Sequence, residues 1–222
     1  MVAARITSKD ITQAGSVAKL VASLLDTLKT APMDLREVAA AKLMSLSDMA
    51  PDNAALIGQN GIAPLVALLV NGSTNAQAYA AAALANCSRT NKQRQLEITK
   101  AGGMATLASI LRSGGSSAQE AAAAATAAVT EAIENQSAAI KAGAVIPLVA
   151  LLKSGTLAAQ IHASRAVGNL CKENPSAQEQ VLKEKGTAKL LGLLSSGKTQ
   201  VSENDLQPTI LCPSIGWRAF LR

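Results

Sequence analysis

The chain has 222 residues, of which 49% are hydrophobic and 16% charged, and its formal net charge at pH 7 is +6. Tyr79, Trp217 and Phe220 are its only aromatic residues, which argues against a surface that stacks single-stranded nucleic acid. Three widely separated cysteines do not form a disulfide framework, and no uncharged apolar run is long enough to span a membrane. Because residues 1–10 lack a secretory signal pattern, we expect an intracellular protein, in the cytoplasm or alternatively in the nucleus.

An apolar segment recurs along the chain, each time shortly after a glycine. Its matched leucines are separated by steps of 42, 41 and 42 residues: Leu65, Leu107, Leu148 and Leu190. Upstream, Leu20 is matched to Leu65 at a step of 45 residues, behind a turn predicted at Gly15. Each segment has helical apolar spacing, and an Ala-rich helix follows the first four of these segments. A helical pair cannot bury both apolar faces alone, so this spacing predicts a stack of repeats.

In chain order, a short arm is predicted at residues 1–10 and a repeat array at residues 11–199. The predicted repeats are residues 11–51, 52–90, 91–135, 136–174 and an incomplete fifth from 175. The last helix of the first repeat is predicted at 34–49, with Asp34 and Glu37 at the spacing of a capping box. The last helix of the third repeat is predicted at 120–133. Residues 200–222 depart from the pattern and form either a terminal cap or an unrelated segment.

The repeated residues resemble a known family. A glycine turn, an I-P-L-V-x-L-L helix and an A-x-x-A-x-x-x-L/V-x-N-L/C helix are similar to the armadillo repeat, over about residues 11–199. The resemblance implies an all-α, right-handed superhelical solenoid. It also implies that the last helix of each repeat lines a concave groove that binds a protein segment.

Two asparagines occupy the position that, by this resemblance, pairs with the backbone of an extended peptide. Asn86 and Asn169 match it, whereas Ser45 and Ala128 stand there in the first and third repeats. An amide suits the task because it offers both donors and an acceptor. The alternative is that each asparagine caps the last carbonyls of its own helix.

Further groove candidates lie beside the asparagines. His162 and Arg165 share a helical face with Asn169, although a solvent-facing histidine near an arginine is the simpler interpretation of His162. Tyr79 completes the predicted partner-binding set. The tryptophan that importin-alpha-like proteins carry four residues earlier is absent: its positions hold Ala41, Ala82, Ala124 and Arg165. The set therefore predicts an acidic partner segment rather than a nuclear-localisation signal.

No catalytic constellation emerges from the sequence. Residues 192–199 match a phosphate-binding loop, but the match falls in a repeat helix and the turn after it, so we predict that it is inert. We therefore expect a non-enzymatic scaffold without a metal or cofactor. The alternatives are a substrate-recognition part of a ubiquitin-ligase assembly of the U-box and armadillo type, or a truncated solenoid that self-associates through its C-terminal end.

Overall fold

A computed structural model describes the backbone of residues 8–172 and 174–195, and the side chains of 15–172 and 174–193. Within these ranges it contains helices and no strand, which confirms the all-α prediction. The helices are α1 Ser8–Thr30, α2 Met33–Met49, α3 Pro51–Asn60, α4 Ile62–Asn71, α5 Thr74–Ser88, α6 Lys92–Lys100, α7 Gly103–Ser113, α8 Ser116–Val129, α9 Ile133–Lys141, α10 Val145–Ser154, α11 Leu157–Cys171, α12 Pro175–Lys183 and α13 Gly186–Ser195. The predictions for residues 200–222, and for the end of the phosphate-loop match, lie outside the described residues.

The helices form a stack of repeats. Three repeats are complete, α3–α5, α6–α8 and α9–α11, while α1–α2 precede them and α12–α13 follow. The third helices α2, α5, α8 and α11 pack in series, and so do the second helices α4, α7, α10 and α13. Each repeat contacts its neighbours, which is the arrangement of a solenoid.

The matched leucines form the core of the second-helix layer. Leu65, Leu107, Leu148 and Leu190 are each 0% exposed and lie in α4, α7, α10 and α13. The prediction that they are buried equivalents is confirmed. Since the apolar spacing of each helix points these side chains inward, the repeat period also sets the period of the core.

The first matched position is wrong by one residue. Leu20 is 45% exposed, whereas Val21 is 3% exposed. Val21, Leu24 and Leu25 are all buried and have the 0, +3, +4 spacing of the apolar face that begins at Leu65. The predicted turn at Gly15 is also wrong, because α1 runs through that residue without a break.

The predicted capping box at Asp34 does not form. Helix α2 begins at Met33 behind Pro32, and no side chain caps it. Glu37, the predicted capping partner, instead accepts hydrogen bonds from Ser73 and Asn75 of the next repeat. Proline at the N-cap fixes the entry angle of the chain without a side-chain bond, which leaves the glutamate available between repeats.

The last helix of the third repeat ends earlier than predicted. Helix α8 ends at Val129, and Ile133 begins the next repeat. The Thr130 hydroxyl donates to the carbonyl of Thr126 at 2.7 Å, and the Asn135 amide donates to the carbonyl of Val129 at 3.0 Å. The Asn135 amide satisfies the Val129 carbonyl, which a continuing helix would use, so it stabilises the break in an alanine-rich sequence.

The turn between first and second helices depends on small residues in matched pairs. A Cβ added at Gly103 would lie 2.7 Å from Cγ2 of Ile98 and 2.8 Å from its carbonyl oxygen. One repeat later, Ala144 takes the place of this glycine and Ala139 takes the place of the isoleucine, and both are buried. Where the first helix presents a large side chain the second begins with glycine, and where it presents alanine the second tolerates a methyl group.

Candidate functional site

The third helices turn one face towards the concave side of the stack. Three positions on this face, spaced by three and four residues, recur from repeat to repeat, and a fourth follows three residues later, just beyond the helix end in α5, α8 and α11. We call them the outer row (Val38, Tyr79, Ala121, His162), the inner row (Ala41, Ala82, Ala124, Arg165), the amide row (Ser45, Asn86, Ala128, Asn169) and the charge row (Asp48, Arg89, Glu131, Lys172). The predicted site residues all fall in the first three rows.

Two adjoining cavities lie along this face. The smaller, of about 540 Å³, lies between α1, α2 and Tyr79. The larger, of about 620 Å³, is lined by residues of all four third helices. Of the predicted site, it brings together Tyr79, Asn86 and His162, whereas Arg165 and Asn169 lie outside its lining. Volumes of this size fall in the range that binds ligands.

Asn86 is held by the repeat before it. Its Nδ2 donates to Oγ of Ser47 at 3.1 Å, and that hydroxyl donates onward to the carbonyl of Met44 at 2.7 Å. The amide is half-buried, and this bond uses one of its two N–H groups, so a second N–H and the carbonyl oxygen are left for a ligand. The contact orients the side chain before any partner arrives.

Asn169 makes the equivalent contact two repeats later. Its Nδ2 donates to the carbonyl of Ala127 at 2.9 Å and lies 3.4 Å from Oγ1 of Thr130. Both partners belong to the preceding repeat, as Ser47 does for Asn86. The alternative in which each asparagine caps its own helix is therefore wrong. A sequence pattern could not reveal these partners, which lie about 40 residues upstream.

Two glutamate carboxylates join the same pairs of repeats that the asparagine amides join. Glu37 accepts from the hydroxyl of Ser73, and Glu120 accepts from that of Thr156. Ser73 and Thr156 are also the N-caps of α5 and α11, so one side chain caps its helix and ties two repeats together. The corresponding N-cap of α8 is Gly115, which has no hydroxyl to donate.

Arg165 is paired within the chain. Its guanidinium donates to Glu131 at 3.0 Å, and the other oxygen of that carboxylate accepts from Nε2 of Gln95 at 3.3 Å. The charge that was expected to attract an acidic partner is thus already compensated. The exposed cation of the larger cavity is Arg89, which forms no ion pair among the residues that the structure describes.

The charge row alternates in sign. Asp48, Arg89, Glu131 and Lys172 follow one another at steps of 41, 42 and 41 residues. Within the larger cavity, Asp48 and Glu120 face the single cation Arg89. His162 is half-buried in the same lining. The groove therefore has mixed electrostatics rather than one sign of charge.

Cys87 and Gly192 both lie within helices, α5 and α13. Burial raises the pKa of the Cys87 thiol to about 12, with Arg94 partly opposing the shift, so this thiol stays protonated at neutral pH. Gly192 lies in α13, as the prediction of an inert loop requires. The described part of the chain contains no group of three or more His, Cys, Asp or Glu side chains that could hold a metal ion.

Among the described helices, α1 is the longest, at 23 residues. None of them is by itself long and apolar enough to cross a bilayer. Two consecutive pairs, α3 with α4 and α9 with α10, reach the necessary length only together, and they are bent by 78° and 87°.

Known proteins match the chain in both sequence and fold. The sequence model of the Armadillo/beta-catenin-like repeat matches residues 51–89 and 133–172, which are α3–α5 and α9–α11. No curated protein sequence is similar enough to count as a match.

Solved structures extend the likeness over nearly the whole chain. Two engineered proteins from the Northeast Structural Genomics Consortium are each 30% identical; one covers 91% of this chain at a TM-score of 0.74, the other 86% at 0.72. The chain spans 48% of the length of the first and 76% of the second. A designed armadillo repeat protein in complex with the peptide (KR)4 is 22% identical over 92% of this chain and 84% of its own, at a TM-score of 0.73.

The stacked three-helix repeats and these matches define a right-handed α-solenoid. The chain belongs to the armadillo repeat family.

Proposed function

We propose that the protein is a non-enzymatic scaffold that binds an extended protein segment along the face of α2, α5, α8 and α11. The observation that carries this proposal is the larger cavity, where four third helices surround an asparagine amide already oriented by Ser47. Pre-orientation reduces the entropy that a ligand must lose on binding. The peptide complex of a designed armadillo repeat protein supports the same class of partner.

An acidic partner remains our prediction, in a modified form. The net charge of +6 favours an acidic segment during encounter. Arg165 is compensated by Glu131, however, so the carboxylate of a ligand is expected at Arg89 instead. Asp48 and Glu120 in the same cavity favour a segment that carries few further acidic residues.

Two other roles stay predictions. In a U-box-type ubiquitin ligase the groove would recognise the substrate, and the catalytic part would come from elsewhere. Self-association through the C-terminal end is motivated by the sequence of the fifth repeat, in which no Ala-rich segment follows the second apolar segment. Cytoplasmic location, with the nucleus as the alternative, likewise stays a prediction.

A random dodecapeptide library displayed on phage tests groove binding. Peptides selected on the parent protein are measured by fluorescence anisotropy against the variant Asn86→Ala/Asn169→Ala and against Asn71→Ala, which changes an exposed asparagine of α4. We expect the double variant to bind about tenfold more weakly, equivalent to about 1.4 kcal/mol. The control should bind like the parent. Equal binding by the double variant, with unchanged helicity, would place the site elsewhere.

A further inference from the structure

The groove floor changes character along the stack. In the first three repeats, the outer and inner rows contain only uncharged side chains, five of them aliphatic and one aromatic: Val38, Ala41, Tyr79, Ala82, Ala121 and Ala124. In the fourth repeat the same rows hold His162 and Arg165. We call the six uncharged residues the apolar floor.

The apolar floor leaves room above it. Ala82, Ala121 and Ala124 are half-buried and line the larger cavity, and their methyl groups fill little of its roughly 620 Å³. Tyr79 lies in the lining of both cavities, and Val38 is 51% exposed in the smaller one. Small residues on a helix face thus produce a depression with an apolar floor, while polar and charged side chains contribute to its rim.

Met49 adds an adaptable wall. It lines the larger cavity at the end of α2 and is 77% exposed. An unbranched thioether side chain can close over ligands of different shape, and it contacts aromatic rings favourably. An exposed methionine beside an alanine floor suits an apolar side chain of variable size.

The charges around the floor argue against an ionic anchor. Glu37 and Glu120 already accept hydroxyl bonds from the following repeats. The charge row alternates in sign, so it supplies no uniform field for one charged side chain. An ion placed on the alanines of the floor, away from Arg89, would lose hydration without a dedicated partner, whereas a neutral side chain would not incur this cost. Charge complementarity therefore favours a neutral occupant.

From these observations we infer that the apolar floor binds a large apolar side chain of an extended peptide, whose backbone meets the amide of Asn86. This inference rests on the proposed function and specifies its ligand. Helix axes in contact are about 8–10 Å apart, so Asn86 and Asn169, two repeats apart, are separated by about 16–20 Å. An extended chain covers that distance in about five or six residues. The ligand is thus an extended segment of at least about six residues with a bulky apolar anchor near one amide contact.

The test uses the dodecapeptides selected on the parent protein. Their sequences are aligned for a large apolar residue at a fixed position, and that residue is replaced by Ala in synthetic peptides. On the protein, Ala82→Leu/Ala124→Leu fills the floor and Val38→Ser alters an exposed part of it. Ala67→Leu makes the same chemical change at an exposed position of α4. Circular dichroism melting confirms that each variant is folded.

We expect Leu, Phe, Met or Trp to be enriched at one position. Replacing it by Ala, or filling the floor, should weaken binding at least about tenfold, since burying such a side chain contributes a large share of affinity. Val38→Ser should weaken it by a smaller factor, and Ala67→Leu should leave it within about twofold, as expected for a surface change. If the filled variant fails to fold, the peptide substitution and Val38→Ser decide the matter.

Two results would overturn the inference. One of them would leave the proposed function standing, and the other would contradict it as well. Peptides that depend on Asn86 and Asn169 but show no apolar preference would contradict the anchor and leave the proposed function standing. Peptides that bind equally well after both asparagines are replaced would contradict groove binding itself, and the anchor with it.

Discussion

Cys87 illustrates how the position of a residue sets its chemistry. The thiol is 1% exposed and its pKa is raised from 9.0 to about 12 by burial. In the unfolded chain the same thiol ionises near pH 9, so above that pH the unfolded state binds fewer protons than the folded state. The stability contributed by Cys87 is therefore full below pH 9 and is lost as pH rises towards 12.

This linkage can be measured by urea unfolding. Between pH 8 and pH 10.5 the parent should lose more free energy of unfolding than Cys87→Ala, which has no thiol to ionise. All other residues are the same in both proteins, so their contributions cancel in the comparison. Parallel loss of stability in parent and variant would contradict the assignment of the shifted pKa to Cys87.

Lys185 occupies a backbone conformation that is unfavourable for its side chain. Its φ is 54°, and the matched turns of the third and fourth repeats use Gly102 at 81° and Gly143 at 74°. A left-handed conformation costs an L-residue about 1–2 kcal/mol. Glycine avoids this cost, but it loses more conformational entropy on folding, which offsets part of the gain.

We therefore expect Lys185→Gly to raise the free energy of unfolding by up to about 1 kcal/mol, because relief of the left-handed strain exceeds the entropy that glycine adds to the unfolded chain. The reciprocal change, Gly143→Lys, should lower it. Thermal melting of the two variants beside the parent measures both signs. A lower melting temperature for Lys185→Gly would show that its side chain contributes more than its backbone costs.

At the scale of the helix, the pairing of Gly103 with Ile98 is a testable unit. Gly103→Ala should destabilise the protein, because the new methyl group would meet the isoleucine at 2.7 Å. In Ile98→Ala/Gly103→Ala the two alanines reproduce the pair found at Ala139 and Ala144. The double variant should then be more stable than the sum of the single changes predicts, with a coupling of about 0.5–3 kcal/mol. Additive losses in urea unfolding would refute this pairing.

The arrangement of the helices also explains which features of the fold and of the site can be predicted from the sequence. The steps of 41 and 42 residues predict the buried leucines because a core position recurs once per repeat. Leu20 was mismatched since the first repeat has one continuous helix in place of two, and its register follows Val21. Asn86 was found by its position, but its bond to Ser47 crosses between repeats and leaves no local pattern. The pairing of Arg165 with Glu131, 34 residues apart, was missed for the same reason.

At the scale of the whole molecule, the junctions between repeats differ. The carboxylate and amide contacts of the groove face join the first repeat to the second and the third to the fourth. Between the second and third, the described groove face offers Gly115 and Ala128 at the matching positions. There Arg94 of α6 donates to the carbonyls of Cys87 at 3.0 Å and Ala55 at 2.9 Å on the first-helix side.

Arg94 is accordingly expected to hold the central junction. Arg94→Ala leaves two carbonyls without this donor and should lower the free energy of unfolding by about 1–3 kcal/mol. Arg94→Lys should recover only part of the loss, because an ammonium cannot reproduce the guanidinium fork. Because solenoid stability is a sum of repeat interfaces, urea unfolding of Arg94→Ala should also broaden into two steps. A variant as stable and cooperative as the parent would contradict this role.

The central claim is that the face of the third helices binds an extended segment. Titrating a library-selected peptide into 15N-labelled protein, followed by two-dimensional NMR, tests it most directly. We expect the shifts to concentrate in α2, α5, α8 and α11, with those of Tyr79 and the Asn86 side-chain amide among the largest. Shifts confined to the second helices α4, α7 and α10 would contradict it.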